Sequence, residues 1–145
     1  LLIFDMDNFK ALNDKYKHAE GDKGLINMAE ALKESIREGD IIGRIGGDEF
    51  AVLLTGTPSN QCKPAITRIQ ETYRNRTLQS DHSELSNLLT LSAGVCQSDS
   101  YSVGEILEKA DAALFHAKQT KNTVSVYNPD RTITPLNIPP APPSA

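Results

Sequence analysis

The chain opens on four consecutive apolar residues, Leu1-Leu2-Ile3-Phe4, and the run breaks off at Asp5-Met6-Asp7. An unbroken apolar stretch of this length suits a strand buried on both faces. After Asp22, the positions Leu25, Met28, Ala29, Leu32 and Ile36 recur at helical spacing and predict a helix with one buried stripe. Ile41, Ile42 and Ile45 then precede Gly46-Gly47, and Phe50-Ala51-Val52-Leu53-Leu54 follows, which predicts a hairpin of two half-buried strands. Ile66, Ile69 and Tyr73 mark a second helix, and residues 89–95 a strand. Ser102 with Glu105 forms a capping-box pattern before a third helix, whose buried face is Ile106, Ala110, Ala113, Leu114 and Ala117. Residues 123–127 read as a closing strand. Strand, helix, hairpin, helix, strand, helix, strand predicts an α/β sandwich with helices laid over a sheet.

Beyond Asn128 the pattern stops. Pro129, Pro135, Pro139, Pro140, Pro142 and Pro143 crowd a segment with little apolar surface, so residues 128–145 are expected to be a flexible tail and residues 1–127 one domain. A length of 145 residues agrees with a single core. The formal net charge is −4 with no basic run, which argues against nucleic acid or an anionic membrane as partner. No apolar stretch approaches the ~20 residues of a membrane span, and no signal-peptide pattern is present. Cys62 and Cys96 lack metal-ligand spacing and a disulfide framework, so free thiols in a reducing cytoplasm are expected.

Two acidic groups carry the chemistry. Gly46-Gly47 leaves bare main chain beside Asp48-Glu49, where a ligand could lie. The plain alternative is a two-residue turn with its acids facing water. Asp5 and Asp7 share one strand face, about 7 Å apart along the chain. Carboxylates at the end of a buried strand are costly unless compensated. Asp5 and Asp48, brought together across neighbouring strands, suit Mg²⁺, which takes one or two carboxylates and fills its other positions with water and substrate phosphates.

The order Phe4-Asp5-Met6-Asp7-Asn8-Phe9-Lys10, Asn13-Asp14, Gly21-Asp22, Arg37-Glu38-Gly39-Asp40, Gly46-Gly47-Asp48-Glu49-Phe50 resembles the GGDEF domain of bacterial diguanylate cyclases. Residues 110–118 resemble that family's last helix, and the likeness runs from Leu1 to about Tyr127. The resemblance implies the palm-like nucleotidyl cyclase fold, a mostly antiparallel sheet covered by helices. It also implies that Leu1 is a cut end, because the Asp-x-Leu-Thr-x-Leu-x-Asn-Arg segment usual before this point is missing.

The implied reaction condenses two GTP into cyclic di-GMP and two pyrophosphates across a homodimer. Two Mg²⁺ per site, or Mn²⁺ in their place, would be held by Asp5, Asp48, Glu49 and the Met6 carbonyl. Glu49 is alternatively an aid to deprotonating the hydroxyl. Asp7 is expected only to bond nearby backbone amides. The amides of Asn8, Phe9 and Lys10, together with Gly47, match the triphosphate cradle. Lys118 matches a phosphate-binding lysine rather than a solvated one complementing the helix dipole. Lys121 stands near the family's arginine, although the glycine usual before it is missing. Asn13 and Asp22 match the guanine-reading pair, with a helix N-cap the plain role for Asp22. Arg37 and Asp40 match the Arg-x-x-Asp site that binds product and halts turnover; otherwise they merely end a helix and open a strand. His18, His82 and His116 show no ligand spacing. Alternatives are an idle relative that senses GTP or cyclic di-GMP, a cyclase of another product, and a non-catalytic interaction domain. Any membrane tether would lie upstream of Leu1.

Overall fold

The computed structural model describes residues 1–80, 83–85, 87–99 and 101–138. Its elements are β1 (Leu2–Met6), α1 (Phe9–Tyr16), α2 (His18–Ser35), β2 (Ile41–Arg44), β3 (Glu49–Leu53), α3 (Lys63–Leu78), β4 (Leu91–Cys96), α4 (Val103–Lys118), β5 (Val124–Tyr127) and β6 (Ile133–Leu136). The strands form one six-stranded sheet in the order β2-β3-β1-β4-β5-β6. Only the β4–β5 pair is parallel. The mixed α/β class and the mostly antiparallel sheet match the expectation.

The opening apolar run becomes an interior strand, hydrogen-bonded to β3 on one side and β4 on the other. Strand side chains alternate between faces. Leu2, Phe4 and Met6 therefore join Val52, Leu91, Ala93 and Val124 in a core closed by Met28 and Leu32 of α2 and Ile66, Ile69 and Tyr73 of α3. Ile3 points the other way and packs with Cys96, Ala110 and Leu114 under α4. Asp5 follows Ile3 on that face, which is how the strand delivers a carboxylate to the α4 side.

Helix α4 sits unusually close to the sheet at Gly94. A Cβ on that residue would lie 2.0 Å from the Ala110 carbonyl oxygen and 2.3 Å from the Leu114 nitrogen. The predicted capping box is present, with Ser102 accepting from the Glu105 amide and Glu105 accepting from the Ser102 amide.

Three expectations need correction. The helix after Asp22 starts earlier, at His18, so Asp22 lies inside α2 and caps nothing. A second helix, α1, precedes it across Lys17, a residue in the left-handed region at φ 71°. The hairpin tip is a four-residue loop, 45–48, closed by the Ile45 amide on the Glu49 carbonyl at 3.0 Å. Neither Gly46 nor Gly47 is among the positive-φ residues, so conformational freedom is not what the tip uses.

The segment after Asn128 is not a plain tail. The Asn128 amide bonds the Thr132 carbonyl at 2.8 Å, and Ile133–Leu136 returns as an edge strand against β5. Pro135 is tolerated there because an outermost strand has one side without a ladder. Residues 139–145, with the remaining prolines, lie outside the described residues. No helix among the described residues is long and apolar enough to cross a membrane.

Gly94→Ala is expected to destabilise the fold by at least about 1–3 kcal/mol, the usual cost of overpacking. Urea denaturation followed by circular dichroism would measure it, and an unchanged midpoint would contradict the close packing.

Candidate functional site

The site forms where β1 ends and β3 begins, beside the start of α1 and the end of α4. In the antiparallel ladder Asp5 lies directly opposite Glu49. The Met6 amide bonds the Asp48 carbonyl oxygen at 3.3 Å, which holds the hairpin loop against the end of β1. Directly opposed like charges repel. Asp5 titrates above its ordinary value, first through burial and then through the negative charges of Asp48 and Asp7, which together outweigh Lys118. The Glu49 carboxyl is likewise raised, first by burial and then by Asp5, Asp111 and Asp48. The sequence thus concentrates unwelcome negative charge at one point.

Asp7 has a different task. It is fully buried, and its carboxylate accepts from Ser92 Oγ at 2.8 Å, Thr90 Oγ1 at 2.7 Å, the Asn122 amide at 2.8 Å and Lys118 Nζ at 3.0 Å. These bonds tie β1 to β4 and to the α4–β5 connection, a wider set than the backbone amides expected. The ammonium of Lys118, at the end of α4, also bonds Asp5. Lys118 is therefore neither a free helix-end lysine nor remote from the acids. Its two carboxylate partners hold its titration above the ordinary lysine value despite partial burial, which acts the other way.

After Asp7 the chain turns through Asn8 in the left-handed region, φ 60°, and enters α1. Asn8 is fixed on both sides, donating from Nδ2 to the Leu88 carbonyl at 2.6 Å and accepting from Lys121 Nζ at 2.7 Å. Lys121 itself has φ 62°. It adopts without glycine a backbone that glycine would enter more cheaply. The first intrahelical bond of α1 runs from the Leu12 amide to the Asn8 carbonyl. The amides of Phe9 and Lys10 therefore project from the helix start, next to the acids.

One turn further, Asn13 lies against Gly21. A Cβ at residue 21 would fall 1.8 Å from Asn13 Oδ1, so a larger residue there would displace the Asn13 side chain. That Oδ1 is buried without a hydrogen-bond partner among the described residues. A buried acceptor of this kind is costly unless a ligand satisfies it. Asp22 follows Gly21 on the exposed side of α2.

At the hairpin, Arg44 donates to the Gly46 carbonyl from Nε at 3.2 Å and to the Gly47 carbonyl from its terminal nitrogen at 2.8 Å, pinning the loop. A Cβ on Gly46 would sit 2.6 Å from Glu49 Oε2, whereas at Gly47 it would meet open space. The first glycine makes room for the acid, and the second leaves the chain bare outward.

Arg37 and Asp40 lie apart from this cluster, at the α2–β2 turn. They pair at 3.5 Å, and Asp40 also accepts from the Thr55 amide while Arg37 bonds the Thr55 carbonyl and Thr57 Oγ1. Burial pushes the Asp40 carboxyl up, but the Thr55 and Arg37 hydrogen bonds outweigh it and hold it below its ordinary value. Cys62 and Cys96 are buried free thiols whose titration burial raises. His116 bonds Ser125 Oγ at 2.9 Å, and His82 is outside the described residues.

Sequence reasoning missed Asp111, Arg44, Thr90, Ser92 and Asn122. Asp111 was the most findable, seven residues before Lys118 and so on the same side of one helix. Among the described residues no three carboxylate, thiol or imidazole side chains lie so that they could hold a metal ion by themselves. The donors present are oxygens only, and their crowding favours a cation. That suits magnesium completed by water and phosphate, not zinc.

The family model described as "Diguanylate cyclase, GGDEF domain" matches residues 1–123. The chain is 37% identical over 123 residues to the probable diguanylate cyclase DgcC of Escherichia coli, covering 82% of this chain and 32% of that protein. It thus spans about a third of the length of this curated relative. Among solved structures it resembles diguanylate cyclase SiaD in complex with its activator SiaC from Pseudomonas aeruginosa. There the TM-score is 0.73 and the identity 31%, covering 82% of this chain and 45% of that one. It also resembles the GGDEF domain of DgcB from Caulobacter crescentus in complex with c-di-GMP. There the TM-score is 0.72 and the identity 25%, covering 82% and 71%.

Because Glu49 holds its proton to higher pH in the fold than in the unfolded chain, stability falls as pH rises through its native titration. Glu49→Gln is expected to melt higher than the parent near neutral pH, with the gap closing as pH falls through the carboxylate range. Melting curves across pH would measure this, and a variant less stable at neutral pH would contradict it.

Proposed function

The chain belongs to the GGDEF domain family of diguanylate cyclases, and from that premise we propose that it condenses two GTP into cyclic di-GMP and two pyrophosphates. The observation that supports this most is the register that opposes Asp5 to Glu49, with Asp48 tied beside Met6 and the start of α1 alongside. Acids for a metal and amides for phosphates thus meet at one corner of the sheet.

Asp5, Asp48, Glu49 and the Met6 carbonyl would hold Mg²⁺, with Mn²⁺ an acceptable substitute. When bound, two such ions supply charge that stabilises the attacking and leaving oxygens of an in-line displacement. The residues do the rest. The Asn8, Phe9 and Lys10 amides and the bare Gly47 backbone cradle the triphosphate. Lys118 and Lys121 add positive charge to the outer phosphates. Asn13 and Asp22 together would read guanine, the Asp22 carboxylate accepting from the N1–H and 2-amino group; adenine offers neither donor, so GTP is favoured over ATP.

Each 3′-hydroxyl attacks the other nucleotide's α-phosphorus, and the bond from that phosphorus to the bridging oxygen of pyrophosphate breaks. Glu49 is alternatively the group that receives the hydroxyl proton, in place of its role at the metal. Two domains related by a two-fold axis would bring the nucleotides together, since each contributes one GTP to a symmetric product. Arg37, paired with Asp40 and extended over the α2–β2 turn, offers a planar fork for a phosphate or guanine of the product, which gives feedback inhibition. A cytoplasmic domain fits the free thiols and the nucleotide substrate.

Asp48→Asn keeps shape and removes one metal charge. It is expected to lower cyclic di-GMP formation from GTP and Mg²⁺ by at least about a hundredfold with the circular dichroism spectrum unchanged. Retained turnover would remove the acidic corner from the mechanism.

A further inference from the structure

The position of Lys118 carries a consequence for how the site loads. Its ammonium lies within hydrogen-bond reach of both Asp5 and Asp7. The two carboxylates differ in what else they do. Asp7 is fully buried and already receives Thr90, Ser92 and Asn122 on its two oxygens, so it has no edge left for an ion and serves as an anchor. Asp5 retains partial exposure, 15% at its side chain, and Lys118 retains 28%. The lysine therefore sits on the one first-strand acid open to a ligand, held there by the acid that is not.

An ammonium in that position neutralises charge a divalent ion would seek, and two cations sharing one carboxylate repel each other. The acidic corner is thus compensated from within the fold before any ion arrives. A triphosphate changes the balance, because its oxygens complete a metal's shell and give the ammonium another acceptor.

We propose that Lys118 is the resident counter-cation of the cleft, competing with divalent metal for Asp5 and giving way when a nucleotide triphosphate enters, so that metal and nucleotide load cooperatively. This rests on the reading of Asp5 as a metal ligand and adds a loading order to it. Cooperativity of this kind is a coupling free energy between two ligands, and removing the competitor should weaken it.

The test is Mn²⁺ binding to the purified protein, read from the electron paramagnetic resonance signal of free Mn²⁺, without any turnover. Without nucleotide, Lys118→Met is expected to bind Mn²⁺ at least about fivefold more tightly than the parent, while Lys118→Arg, which keeps the charge, should not gain. A non-hydrolysable GTP analogue should then tighten Mn²⁺ binding more in the parent than in Lys118→Met. Near-ultraviolet circular dichroism checks the fold, and Lys118→Gln replaces the methionine variant if that one does not fold. Equal Mn²⁺ affinity in the parent and the neutral variant, including no measurable binding by either, would overturn the proposal. Because the readout is binding, it stands apart from the Asp48→Asn turnover assay, and either can fail while the other succeeds.

Discussion

Like charges are driven together at one corner of this molecule by the pairing of β1 with β3. The ladder fixes Asp5 opposite Glu49, and the hairpin loop carries Asp48 to the same place. The first placement is set by the β1–β3 ladder, and the second by the bond from the Met6 amide to the Asp48 carbonyl. The cost appears in the Asp5 and Glu49 carboxyls, which burial and neighbouring negative charge make harder to ionise. A fold tuned for stability alone would not gather such groups, and strained electrostatics of this sort concentrate at working sites.

Much of the remaining architecture serves to hold that corner. Asp7 ties the end of β1 to β4 and to the residues after α4, so the acidic strand end has little freedom. Gly94 lets α4 approach the sheet closely, and this brings Lys118 within reach of Asp5. Gly21 lets α2 come against Asn13, whose side-chain acceptor is left buried and unpaired among the described residues. Two close approaches and one buried hydrogen-bond cluster thus fix Lys118, Asn13 and the end of β1 in place.

How much of this was legible in the sequence depends on what each feature rests on. The opening strand, the hairpin, α3 and α4 with its capping box follow from periodicity and capping residues, which are local signals. Strand β6 leaves no such signal, because its proline-rich composition resembles a tail, whereas Pro135 sits on an edge where a missing amide costs little. The break at Lys17 was hidden because a lysine in the left-handed region leaves no mark in the pattern. Asp5, Asp48 and Glu49 could be named from the motif, but their register could not be read from the pattern of residues alone. Thr90, Ser92, Asn122 and Asp111 matter through contacts between elements far apart in the chain, which local patterns do not encode.

The most direct test of the acidic corner is an anomalous diffraction map of crystals grown with Mn²⁺ and a non-hydrolysable GTP analogue. The account predicts a manganese peak ligated by Asp5 and Asp48, with the analogue's phosphates over the start of α1. Bound nucleotide with manganese on other residues, or with its phosphates on another face of the sheet, would contradict it.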